Sequence, residues 1–247
     1  MSVVIELKIS EILSKSADIV TGQPETLLPY LVPIVVSLAA SWGRITSMLG
    51  WGVGRLYPLG RTPLRYFWYL VTSLRTVGVG NMAVWIVVLV LLAICVALTI
   101  VMSDARLSGR TMKVGEAFDA TVKVLPLFIV AFLISWLLKF VGLFAFWVGL
   151  FIPAVLLIFA GQIMILERKD IFESFSRSYD IAKGNWAEIL LLLFVFLIIL
   201  VVVRTVPLVG IVVACFLMGY STVVFTVMYR DRSGGGPVRR KARAESQ

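Results

Sequence analysis

The chain contains no histidine. That removes the commonest general base and the commonest metal ligand at one stroke. Its two cysteines, Cys95 and Cys215, each stand alone inside an apolar run. They cannot form a thiolate zinc site, and they read as small buried hydrophobes. No serine occupies a G-x-S-x-G, and neither H-E-x-x-H nor C-x-x-C occurs, so the hydrolase, metalloprotease and thiol-redox signatures are missing. Gly50-Trp51-Gly52-Val53-Gly54-Arg55 is rich in glycine but lacks the Lys-Ser/Thr ending of a phosphate loop and follows no strand. It reads as a flexible loop. These residues point away from catalysis and require no metal and no cofactor. An intramembrane enzyme would need a polar cluster that only folding assembles.

The remaining polar chemistry falls into two sets. Ser37, Ser41, Gln162 and Thr222 lie within apolar runs, and Gln162 is the most internal. Such a group either bonds across helices or lines a solute path, and an interhelical bond is the simpler expectation for Gln162. Lys139 lies near the outer end of its run, where its stem can snorkel to the interface. Glu188 opens another run, where a carboxylate suits a helix N-terminus. The second set, Lys15, Lys123 and Arg177, sits on amphipathic segments. These cations would meet anionic head groups or another membrane protein.

The elements that hold these residues follow from composition. Sixty per cent of the 247 residues are hydrophobic, 15% are charged, and the mean hydropathy is +0.99. A soluble domain this apolar would expose large sticky patches, so the bilayer is the solvent to expect. Six apolar runs approach the ~20 residues a helix needs to cross: Leu27 to Trp42, Met82 to Ser103, Val124 to Phe144, Phe146 to Leu166, Ile189 to Val203 and Leu208 to Tyr229. The runs lack the alternation of a barrel wall, so helices are expected. The first 24 residues carry Glu6, Lys8, Glu11, Lys15 and Asp18, unlike a signal peptide.

A repeat organises the runs. Glu11 to Gln23 and Glu173 to Asn185 share six identities in thirteen positions, and Glu116 to Val124 is a weaker third copy. Each copy stands directly before an apolar run. Apolar residues recur at helical spacing: Ile5, Ile9, Ile12, Leu13 and Ile19; Val114, Ala117, Phe118, Thr121, Val122 and Leu125; Ile171, Phe175, Tyr179 and Ala182. Gly22 and Gly184 stand where a helix C-cap wants a left-handed residue. The expected unit is an amphipathic elbow helix lying in the interface, followed by a membrane hairpin. Three units give an all-α integral membrane protein of six transmembrane helices. Residues 1–24 form the first elbow, 25–232 the membrane domain (with elbows near 112–123 and 170–184) and 233–247 a disordered basic tail.

Charge tests the arrangement. With all elbows on one side, that face carries 16 basic residues and the opposite face seven. By the positive-inside rule both termini are then cytoplasmic. The net charge of +9 is spread over loops, with no basic helix or aromatic platform suited to nucleic acid. The loop Gly43 to Asn81 runs against the pattern, with five arginines and no acidic residue. Its Thr62 to Thr76 segment could form an amphipathic helix. Trp42, Trp85, Trp136 and Trp147 fall near the expected outer interface, as an aromatic belt requires.

The run from Ile152 to Trp186 places a proline-containing span before an acidic-aromatic elbow with Arg177-Ser178-Tyr179 at its centre and Lys183-Gly184-Asn185-Trp186 at its end. In this it resembles the membrane domain attached to some glycerophosphoryl diester phosphodiesterases, and related families of uncharacterised prokaryotic multi-pass proteins. The resemblance covers residues ~110–230 and includes no catalytic residue. It implies a membrane module of a prokaryotic plasma membrane, without the phosphodiesterase activity. The expected function is a non-catalytic, membrane-organising or lipid-associated accessory protein. The alternative is a transporter or permease for a lipid-like or weakly polar solute, with a cavity lined by Gln162, Ser37, Ser41 and Thr222 and reaching at least halfway across the bundle.

Overall fold

The computed structural model describes residues 9–50, 79–144, 148–203 and 207–233. Among them all regular structure is helical, with no strand. In chain order the elements are α1 (Ile9–Gly22), a 3-10 helix (Pro24–Tyr30), α2 (Leu31–Gly50), α3 (Val79–Leu107), α4 (Val114–Thr121) and α5 (Leu125–Phe144). There follow α6 (Val148–Leu156), α7 (Ala160–Glu167), α8 (Ile171–Lys183), α9 (Trp186–Val203) and α10 (Pro207–Arg232). The Thr62 to Thr76 segment, most of the arginine-rich loop, Ile5 and the basic tail beyond Ser233 lie outside the described residues.

Among the described residues three helices are each long and apolar enough to cross a bilayer: Val84–Leu107, Trp186–Val203 and Val209–Arg232. Two more crossings follow if each of two bent pairs is one span. Ile9–Gly22 meets Pro24–Ala40 at 83°, and Val114–Thr121 meets Leu125–Lys139 at 86°. Among the described residues the protein is therefore all-helical and membrane-embedded, with three to five candidate spans, where six were expected. The run Phe151–Glu167 is apolar but shorter, and its helix is interrupted between α6 and α7. There Ile158 N–H reaches back only to Val155 O (3.4 Å) and Ala160 N–H to Leu157 O (3.2 Å), the tighter three-residue pattern.

The bends are not made by left-handed glycines. Gly184 sits at φ −80°, ψ −15°, and the positive-φ residues among those described are Arg168 and Gly109. Pro24 opens the 3-10 helix instead, and Thr26 Oγ1 donates to Gln23 O (2.8 Å) to hold the turn. Gly22 answers a different need. A Cβ there would stand 2.8 Å from the Arg106 guanidinium, which lies against the C-terminal end of α1, where the helix dipole favours a cation.

Packing divides the amphipathic helices between the protein interior and the surface. Ala117, Thr121 and Leu125 are buried, yet Phe118 and Val122 are exposed. On α8 the buried stripe is Ser174, Ser178 and Ala182, while Tyr179 is exposed and Phe172 is 86% exposed. Lipid is as apolar as leucine, so burying bulk gains little in a bilayer. Close approach and hydrogen bonding decide instead, which turns small residues inward. Only α1 follows the soluble-protein pattern: its Ile12 and Ile19 pack with Val223, Val224, Val227 and Met228 of α10. A second cluster joins Ala97 and Ile100 of α3 to Leu125 and Phe128 of α5 and Met164 of α7. Trp85 and Trp136 are exposed; the side chains of Trp42 and Trp147 lie outside the described residues.

Candidate functional site

The three sequence copies share a feature that the apolar periodicity conceals. With Glu11, Glu116 and Glu173 in register, Ser16, Thr121 and Ser178 occupy one position, and all three are buried (0%, 2% and 0% exposed). In α1 and α4 the hydroxyl donates four residues back, Ser16 to Ile12 O (2.7 Å) and Thr121 to Ala117 O (2.9 Å). In α8 it leaves its own helix. Ser178 Oγ donates to Leu156 O (2.7 Å) and accepts from Phe159 N–H (3.2 Å). These are the two groups freed by the interruption, because Ile158 and Ala160 have taken or bypassed their regular partners. A buried backbone group without a partner is costly, so Ser178 is what makes the break tolerable. Ser178 was quoted in the resemblance, but its role was not legible there.

Beside the break lies a cavity of about 230 Å³, walled by α3, α5, α7, α9 and α10, with Phe175 of α8 at its edge. Its polar lining is Ser135, Lys139, Gln162, Ser221 and Thr222, set among aromatic side chains that include Phe128, Phe132, Phe196 and Phe225. Gln162 and Thr222 are thus brought together. Ser37 does not line the cavity, and the Ser41 side chain lies outside the described residues. With its amide oriented as the surrounding acceptors require, Gln162 donates to the carbonyls of Ile158 (3.0 Å) and Phe159 (3.3 Å) at the interruption, and no bond to another helix is seen among the described residues. The expected interhelical bond is replaced because the broken turn offers nearer acceptors. Ser221 and Thr222 both donate to Met218 O (2.8 and 2.9 Å). Lys139 faces this cavity rather than only the interface expected of it.

A second polar layer sits behind Thr222. Tyr30 is fully buried, and its ring packs so closely on α10 that a Cβ on Gly219 would approach Tyr30 Cε2 to 2.9 Å and Leu27 Cδ2 to 2.7 Å. Two groups of α3 cover carbonyls of the 3-10 segment: Thr99 Oγ1 donates to Thr26 O (3.2 Å) and Cys95 Sγ to Pro29 O (3.1 Å). Cys95 is therefore a weak donor as well as a filler. Tyr30 Oη lies beside the Thr222 and Thr99 hydroxyls but meets hydrogen-bond geometry with no group among the described residues.

Ion pairs draw the C-terminal end of α10 to its neighbours. Arg230 pairs with Asp104 of α3, and Arg232 with Glu188 of α9 (2.6 Å). Tyr229 Oη donates to Glu167, which also pairs with Arg177 of α8 (3.0 Å). Arg177 is thus tied to a carboxylate instead of presenting a free cation, whereas Lys15 and Lys123 are exposed. Glu188 serves a cross-helix pair as well as opening its helix. The sequence signal was available: acidic residues near three apolar-run ends face Tyr229, Arg230 and Arg232 at another. Among the described residues no group of histidine, cysteine and carboxylate side chains could hold a metal ion. The arrangement is suited to binding an apolar molecule with a charged end. No protein-family model, curated protein or solved structure matches the chain.

Proposed function

We propose that this is a non-catalytic, lipid-associated protein of a prokaryotic plasma membrane. It has six spans in three hairpins, and α1, α4 and α8 act as elbows along the cytoplasmic leaflet. The observation that carries this reading is the pair of near-right-angle bends, 83° and 86°, between short amphipathic helices and the apolar helices after them. A helix set across its span, exposing Phe118 and Val122 beside Lys123, matches the interface: apolar groups enter the acyl boundary while the ammonium stays with anionic head groups. The resemblance of residues ~110–230 implies the same kind of module. Its partners are membrane lipids and other membrane proteins.

Side-specific labelling tests the reading. Lys15→Cys, Lys123→Cys and Arg177→Cys, each in a chain whose Cys95 and Cys215 are replaced by alanine, are expected to react from the cytoplasmic side only. Reaction of any one from the opposite side, with the other two cytoplasmic, sinks the three-unit topology.

The second reading, a permease for a lipid-like solute, gains from the cavity. Its α5 wall runs from Phe128 to Lys139, about 16 Å at 1.5 Å per residue and so roughly half of a ~30 Å hydrocarbon core.

A further inference from the structure

Five polar side chains line the cavity, and three of them are satisfied within the protein. Gln162 donates to the carbonyls of the broken turn, and Ser221 and Thr222 to Met218 O. The deeper cavity therefore makes no demand for a polar ligand atom. Ser135 and Lys139, four residues apart on one face of α5, have no hydrogen-bond or ion-pair partner among the described residues. A cation set against hydrocarbon without a counter-charge is costly. The cavity thus has an apolar body, with one uncompensated positive charge and one free hydroxyl at a single end.

We propose that the cavity binds an anionic single-chain amphiphile, with its carboxylate or phosphate head on the Lys139 ammonium and its alkyl chain among Phe128, Phe196 and Phe225. The volume of about 230 Å³ equals roughly seven or eight waters and falls below the ~300–1,000 Å³ of drug-sized pockets. That size suits part of one chain and excludes a pair. The Ser135 hydroxyl lies one turn away to donate to the head group. The inference deepens the lipid-associated reading above. It is tested independently of topology, so either can fail alone.

The full chain in a non-ionic detergent micelle is titrated with oleate, with lysophosphatidylglycerol and with uncharged methyl oleate, and binding is read from tryptophan fluorescence and thermal shift. Oleate or lysophosphatidylglycerol is expected to bind at least about tenfold tighter than methyl oleate, the span of a hydrogen bond to a charged group. Preference between the two anions identifies a carboxylate or a phosphate ligand. Lys139→Gln removes this advantage and leaves methyl oleate unchanged, Lys139→Arg retains it, and Ser135→Phe blocks all three by filling the space. Equal binding of anionic and uncharged probes to the wild-type chain would overturn the proposal. So would oleate and lysophosphatidylglycerol affinities unaltered by Lys139→Gln, since Lys139 would then merely reach for water.

Discussion

Replacing Ser178 by alanine isolates the side chain that bridges the two backbone groups freed by the interrupted helix. The substitution removes the donor to Leu156 O and the acceptor for Phe159 N–H, and leaves the first group part-buried and the second buried. In a water-soluble interior each orphan would cost about 1–3 kcal/mol. Measured membrane-protein hydrogen bonds average only ~0.6 kcal/mol, with a maximum near ~1.7. Two such losses set an expected destabilisation of about 1–3 kcal/mol. For a chain of this size that is roughly 2–12 °C in melting temperature. Reversible unfolding in mixed micelles, followed by circular dichroism, measures it directly. Ser176→Ala, on the exposed face of the same helix, is the control and should stay within ~0.5 kcal/mol of the wild type. Hydrogen exchange should also accelerate at Phe159 more than at Ile163, whose N–H keeps its own partner in Phe159 O. A Ser178→Ala chain as stable as the Ser176→Ala control would refute the bridging role.

Two glycines separate crowding from backbone conformation. Gly219→Ala should destabilise by about 1–3 kcal/mol, because the new methyl meets Leu27 and the Tyr30 ring inside 3 Å. Gly184→Ala should instead stabilise by about 0.4–1 kcal/mol, since its φ of −80° suits alanine and the nearest atom to a Cβ is 3.9 Å away. A loss there would restore the left-handed cap. Tyr229→Phe removes the hydroxyl bond to Glu167 and should cost roughly 1–2 kcal/mol in the same unfolding assay, at the low end for charged acceptors because the Glu167 side chain is partly solvated.

How much was legible depends on which solvent a rule assumes. The apolar runs at Met82 to Ser103, Ile189 to Val203 and Leu208 to Tyr229 announced helices because length and hydropathy are local properties. Periodicity marks the apolar residues of α4 and α8 but not which side chains meet protein: Phe118 and Tyr179 stay outside, and Ala117, Ser174 and Ser178 turn inward. The cavity was half foreseen. Gln162 and Thr222 stood out as polar residues in apolar runs, but Lys139 looked peripheral because its register depends on how α5 packs. Ser37 lies outside the cavity lining, and a serine in a span carries no mark of the neighbour it faces. The alignment of Ser16, Thr121 and Ser178 was present all along, hidden because Thr121 was counted with the apolar stripe and the two serines do not contribute to one.

The seating of α1 on α10 has a consequence for biogenesis. Ile12 and Ile19 have as their cover a helix made some two hundred residues later, and Tyr220 Oη donates to Leu13 O across 207 positions. During insertion the nascent α1 must wait without its α10 cover until ribosomes finish that helix. Contacts of such long sequence separation form slowly and leave sticky intermediates. Synthesis stalled before α10 would yield a chain whose α1 lacks its α10 seat, a natural signal for membrane quality-control proteases.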